Sequence, residues 1–176
     1  MPDPDLDTVT APLGVRRSRR TTLLVWLGTV LVLGAVTLWY ATHPPALATR
    51  DGQTSATTPV GRAVYVGVYS PGAGFGRTLE VAGVKVHTDA TTPVEVTPLL
   101  CRGGSISVTT APEPFCTELV DPAGQDLEGG DQIVLRISAD APGAAYVSQI
   151  RIAYREGIRA ATQLAGAPVV VTFLER

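Results

Sequence analysis

The hydrophobic pattern of the chain changes character in two places. From Thr21 to Tyr40, TTLLVWLGTVLVLGAVTLWY, twenty consecutive positions carry no charge and most are apolar. From Arg62 onward the apolar residues instead fall in short runs, often alternating with polar ones, separated by Gly, Pro and Asp. The first pattern predicts one helix and the second a series of strands. A twenty-residue helix rises about 30 Å, the thickness of a bilayer's hydrocarbon core, and its backbone groups pair with one another where there is no water. Residues 21–42 are therefore expected to cross a membrane, with Trp39 and Tyr40 at an interface. Gly28 and Gly34 are six apart and do not form the GxxxG dimer pattern.

The strand candidates are RAVYVGVY (62–69), RTLEVAGVKVHT (77–88), PVEVTPLLC (93–101), SISVTT (105–110), FCTELV (115–120), QIVLRISA (132–139), AYVSQIRIAYR (145–155) and APVVVTFL (167–174). The phase of the second slips at Ala82–Gly83, which predicts a bulge or a tight turn. In QIVLRISA, Ile133, Leu135 and Ile137 share one face. In AYVSQIRIAYR, Ile150, Ile152 and Tyr154 point inward while Gln149, Arg151 and Arg155 point outward. Such a succession predicts an all-β fold, an antiparallel β-sandwich over residues 62–176. The segment REGIRAATQLAG places Ile158, Ala161 and Leu164 on one helical face, so a short helix or loop is expected before the last strand. Residues 43–61, rich in Pro, Thr and Ala, read as a flexible tether with a mean reach of about 25 Å. Residues 1–20 hold three acids and three prolines and read as a disordered tail.

Charge orients this plan. Arg16, Arg17, Arg19 and Arg20 flank the apolar run on its N-terminal side, and the first basic residue beyond it is Arg50. The positive-inside bias puts the N-terminus in the cytoplasm and residues 62–176 outside. A cleaved leader is the competing reading, since Ala46–Ala48 fits an A-x-A site. The apolar run is longer than a leader's and Pro44 and Pro45 precede that site, so a retained anchor is expected. Residues 41–176 carry ten basic and thirteen acidic side chains, which argues against a nucleic-acid partner. One Lys against thirteen Arg, with abundant Ala, Gly, Val, Thr and Pro, suggests a GC-rich coding bias and places the exported part in a bacterial cell envelope.

Candidate chemistry is sparse. Cys101 and Cys116 both fall in the exported part, and an oxidising compartment predicts a disulfide that staples a hairpin. His43 reads as a solvated residue, and His87 and Asp89, two apart on a strand, as an ordinary surface pair. GGSIS lacks the second glycine of a nucleophile elbow, and PGAGFGR fails the dinucleotide and P-loop patterns. DPAGQDLEGGD departs from the calcium-loop spacing at Ala123 and Gln125. No cofactor, metal or catalytic role is expected. Two loops are candidate binding loops: one with Gly72, Gly74 and Phe75, the other with Asp121, Asp126, Glu128 and Asp131.

LRISADAPGAAYV resembles immunoglobulin-type domains, in which an alternating strand leads through an acid, here Asp140, to a tyrosine, here Tyr146. The whole layout, with its ending YREGIRAATQLAGAPVVVTFLER, resembles uncharacterised single-pass membrane proteins of high-GC Gram-positive bacteria. That family implies no activity. The function expected is a membrane-anchored, extracytoplasmic, non-catalytic interaction module that binds another envelope protein. The alternative is a small-ligand or lipid-binding domain assisting transport, a layout shared by small mycobacterial membrane proteins that accompany lipid exporters.

Overall fold

The computed structural model describes residues 19–72 and 74–175. The chain divides after Trp39 into two compact units. The first is the body of helix α1, Arg19–Thr42, whose 24 residues rise about 36 Å. Thr22–Thr42, with mean hydropathy 2.0, is long and apolar enough to cross a membrane. Its large apolar side chains are exposed, Leu23, Trp26, Leu33 and Trp39 among them. The hydroxyls of Thr29 and Thr37 donate to the carbonyls of Val25 and Leu33, both at 2.9 Å. These polar side chains therefore need no water.

The second unit is built of strands. In chain order they are β1 (Thr54–Pro59), β2 (Val64–Tyr69), β3 (Leu79–Lys85), β4 (Thr88–Ala90), β5 (Val94–Arg102), β6 (Val108–Thr109) and β7 (Glu118–Val120). Then come β8 (Asp126–Leu127), β9 (Gln132–Ala139), β10 (Gly143–Val147), β11 (Ile150–Glu156), β12 (Arg159–Ala165) and β13 (Val169–Leu174). They form a five-stranded sheet, β6-β2-β9-β5-β7, and two four-stranded sheets, β1-β13-β10-β4 and β12-β11-β3-β8. The four-stranded sheets are the two halves of one bent sheet. β3 and β4, β10 and β11, and β12 and β13 are consecutive segments of three long strands. These are interrupted at Val86–His87, Ser148–Gln149 and Gly166–Pro168. Every pairing is antiparallel except β1 with β13.

One apolar cluster draws on all three sheets: Val64, Val66, Ile133, Leu135 and Ile137 from the five-stranded sheet, Leu79, Val81, Ile150, Ile152 and Tyr154 from one half of the bent sheet, Val147, Val169, Val171 and Phe173 from the other. The domain is thus two layers packed face to face over a shared core. β9 covers the predicted range 132–139 and supplies the three predicted inward residues. The predicted slip is a bulge: Gly83 faces Ala153 and Val81 faces Tyr154, which leaves Ala82 as the extra residue.

Two expectations are corrected. Residues 43–61 are not a free tether, for Thr54–Pro59 form β1, paired with β13 from Thr54↔Val169 to Pro59↔Leu174. Leu47 is buried in the core, its N–H donates to Gln163 Oε1 at 2.9 Å, and Arg50 N–H donates to the Gly166 carbonyl. Folded structure therefore starts near Leu47, five residues past the end of α1. An edge strand buries little, so the Thr-rich TSATTP serves with only Ala56 and Thr58 turned inward and a proline at its end. The second correction is REGIRAATQLAG, which is strand β12 in a hairpin with β11. Gly157, at φ +59°, makes the tight turn. Ala161, Gln163 and Ala165 then alternate with the exposed Ala160, Thr162 and Leu164. Alanine-rich sequence suits either period, and pairing with β11 decides it.

The outer face of the five-stranded sheet is covered by the chain itself. Cys101 and Cys116 form the predicted disulfide. With Ile106, Val134, Tyr65 and Leu119, they make a second small apolar cluster. A Cβ on Gly67 of β2 would lie 2.0 Å from the Ile106 carbonyl oxygen, so only glycine admits this cover so close. Gln132 accepts the Ile106 N–H through its side-chain oxygen.

Candidate functional site

Among the described residues, none forms such a cover over the groove on the outer face of the bent sheet. Residues directly opposite on antiparallel strands project to the same side. Near the bend, Arg151 of β11 faces Lys85 of β3 on one flank and Leu164 of β12 on the other. Beyond the bend, Tyr146 of β10 faces Asp89 of β4 and Val170 of β13. Between these two rows lies a groove of about 520 Å³, lined by Lys85, His87, Tyr146, Ser148, Gln149, Arg151, Leu164 and Pro168. Tyr146 and Leu164 are 41% and 44% exposed.

The bend that opens the groove has local causes. Gly166 sits at φ +74°, and a Cβ there would come within 2.0 Å of the Val68 carbonyl oxygen. Its N–H donates to Ala48 and its carbonyl accepts from Arg50, so the segment after α1 is pinned where the strands break. Gln149 Nε2 donates to the carbonyls of Arg50 and Gly166, both at 3.4 Å, and Ser148 N–H donates to the His87 carbonyl. The groove floor is thus held by the backbones of three strands and the entering chain.

The loop of Gly72, Gly74 and Phe75 lies elsewhere, at the end of β2. Phe75 is half-buried on the core, and the Arg77 guanidinium lies 5.3 Å over its ring. Arg77 also donates twice to the Glu156 carboxylate, at 2.8 Å each. Those hydrogen bonds hold the Glu156 carboxyl below its ordinary range. A cleft of about 360 Å³ beside this loop is lined by Tyr69, Pro71, Phe75 and Arg77, with Ala46 and Ala48. Burial pushes the Tyr69 phenol up, and among the described residues its buried hydroxyl has no hydrogen-bond partner.

Three of the four acids of residues 121–131 accept hydrogen bonds within the domain. Asp131 Oδ1 accepts from Gly103 N–H at 3.1 Å, and its Oδ2 accepts from Arg102 and from Glu128 N–H at 3.2 Å each. Asp121 Oδ1 accepts from Ala123 N–H, Glu128 accepts from the Thr78 hydroxyl, and Asp126 lies in β8 beside β3. Asp131 therefore ties the cover to the start of β9. Among the described residues, no three of His, Cys, Asp and Glu gather as a metal site would require. His87 and Asp89 approach to 3.8 Å, both well exposed. Tyr146, which carries the immunoglobulin-type likeness, faces solvent in the groove. Arg19 opens α1, and Arg20 lies within it; Arg16 and Arg17 fall outside the described residues.

Sequence reasoning took Arg151 as merely outward-facing and missed Lys85, Tyr146 and Leu164 as groove residues. The signal was present only as the outward alternation of Gln149, Arg151 and Arg155. No protein-family model matches the chain, nor does any curated protein or solved structure.

Proposed function

We propose that the chain is a membrane-anchored, extracytoplasmic, non-catalytic recognition module of a bacterial cell envelope, whose β-domain binds another envelope protein. Helix α1 is the anchor, with the N-terminal arginines in the cytoplasm. Burial of Leu47 supports a retained anchor: cleavage after Ala48 would take a core side chain away with the leader. The observation that carries the recognition role is the asymmetry of the sandwich. One outer face is sealed by the disulfide segment, while the other presents Tyr146, Leu164 and Arg151 to solvent. Exposed aromatic and arginine side chains on a rigid sheet are the side chains that interfaces favour.

A second reading, a small-ligand or lipid-binding domain assisting transport, draws support from the size of the groove. Its volume falls within the range of small-molecule sites. The opening is at the surface rather than between the sheets, where a fully enclosed apolar ligand would need it.

Photo-crosslinking in native membranes separates these readings. A crosslinking residue at Leu164 is expected to capture a discrete partner, whereas one at Ser107, on the cover, is not. If Leu164 yields no adduct, or only the same diffuse adducts as Ser107, the protein-binding reading falls. The N-terminal sequence of the mature chain checks the anchor, and a start near Thr49 would refute it.

A further inference from the structure

We infer that the groove at the bend binds an oxyanion, a carboxylate or phosphate carried on a ring-sized body, between Lys85 and Arg151. The inference rests on reading this face as the recognition face, but not on the partner being a protein. Two rows of β3 and β11 make the case. Arg155 faces Glu80, so that row is balanced. Arg151 faces Lys85, two cations directly opposite on the same outer face. Like charges so placed repel, and their row ends in the apolar Leu164. Among the described residues neither cation is in an ion pair. The other titratable groups lining the groove are His87 and Tyr146, and Asp89 faces Tyr146 from β4 and lies 3.8 Å from His87. The cavity lies over the unbalanced row and not over the balanced one.

An oxyanion between Lys85 and Arg151 replaces their repulsion with two charge-assisted contacts, and arginine can clasp it through two N–H groups. Beside the polar His87, Ser148 and Gln149, the walls include Tyr146, Leu164 and Pro168, an apolar and aromatic surface that suits a ring. The ligand is thus amphipathic: acidic at the β3–β11 side and flat towards Tyr146. A soluble sugar acid and a lipid headgroup share that chemistry.

Lys85 is the chain's only lysine, which makes the test site-specific. Its modification by an amine-selective reagent is followed by peptide mass spectrometry on the purified full chain. One arm adds glucuronate or glucose 6-phosphate in neutral detergent. The other compares nanodiscs of phosphatidylcholine with and without phosphatidylinositol. At least one arm is expected to slow modification about threefold or more. Arg151→Gln is then expected to weaken that protection about tenfold, as loss of one charge-assisted contact predicts, while Arg155→Gln leaves it within about twofold. Protection by the soluble acids alone identifies a free ligand, and protection by phosphatidylinositol alone a headgroup. Either supports the proposal. Unchanged reactivity in both arms, or protection that survives Arg151→Gln, overturns it. Protection found only in native membranes overturns it too, and assigns the cations to an acidic partner protein. Crosslinking at Leu164 reads the recognition face independently of this result.

Discussion

The sandwich has two outer faces, and the chain treats them oppositely. Over the five-stranded sheet, the segment between β5 and β7 folds back and is locked by Cys101–Cys116. It buries Ile106 on Val134 and presses its backbone on Gly67. Over the groove of the bent sheet no described segment folds back. The side chains left there, Lys85, Arg151, Tyr146 and Leu164, would help a soluble domain little as packing. A small domain gains stability from covering apolar area, and this chain has spent its one disulfide covering one face only. The difference teaches that openness at the bend is not a general looseness of the fold. Of the two outer faces, it is the one without the disulfide segment that carries the groove.

The largest expected effect lies on the covered side. Replacing both cysteines by alanine opens a loop of 15 residues, worth about 3 kcal/mol in the chain-entropy model, and also strips contacts from the small cluster. Denaturant unfolding of the full chain, followed by circular dichroism, checks this. Tryptophan emission is unsuitable because Trp26 and Trp39 both lie in α1. A loss under about 1 kcal/mol would show that the cover is not stabilised by its staple. Asp131→Ala should come next, at about 2–3 kcal/mol. It leaves the N–H groups of Gly103 and Glu128 without their acceptor and takes the carboxylate from Arg102, which keeps the Asp126 carbonyl and Gln125 Oε1 and is partly exposed, so part of the cost is relieved.

A matched pair of truncations sets the two faces side by side. Ile106→Ala removes a buried side chain from the cover and should cost about 2 kcal/mol. Leu164→Ala removes an aliphatic side chain of the same size from the groove and should change stability by less than about 0.5 kcal/mol. Equal costs would mean that Leu164 is core, and the open face would lose its claim to function.

What the sequence made legible follows the strength of local pattern. The strand Gln132–Ala139 was readable because Ile133, Leu135 and Ile137 alternate cleanly, and Ala82 betrayed its bulge by breaking phase. β1 and β12 were not, because TSATTP and RAATQLA have too few large apolar residues to show a period of two. Their strand state comes from pairing with β13 and β11. The candidate site was hidden for a related reason. Lys85, Arg151 and Leu164 are remote in sequence, and only the register of three strands sets them in one row. In the loops that drew notice for glycines and acids, Phe75 packs on the core and Asp131 bonds into the domain, while Gly72, Gly74 and Asp126 are exposed.

The smallest effect concerns the hairpin that carries Leu164. Glu156 closes β11 and accepts two hydrogen bonds from Arg77, and Arg159 of β12 lies 3.7 Å from it. Its carboxyl is held below the ordinary range, first by the Arg77 hydrogen bonds. A group whose pKa is lower folded than unfolded stabilises the fold above its unfolded value, about 4.3 for glutamate. That contribution is lost as pH falls through the folded value. The melting temperature of the wild type should therefore drop between about pH 5 and pH 3 by more than that of Glu156→Gln, which lacks the titrating group. The two proteins should differ most near pH 6 and converge in acid. The disulfide does not titrate, so a variant lacking both cysteines should keep the wild-type acid response, displaced to lower temperature throughout. An acid response abolished by loss of the disulfide would place the pH-sensitive contact in the cover, and the division of labour between the two faces would fail.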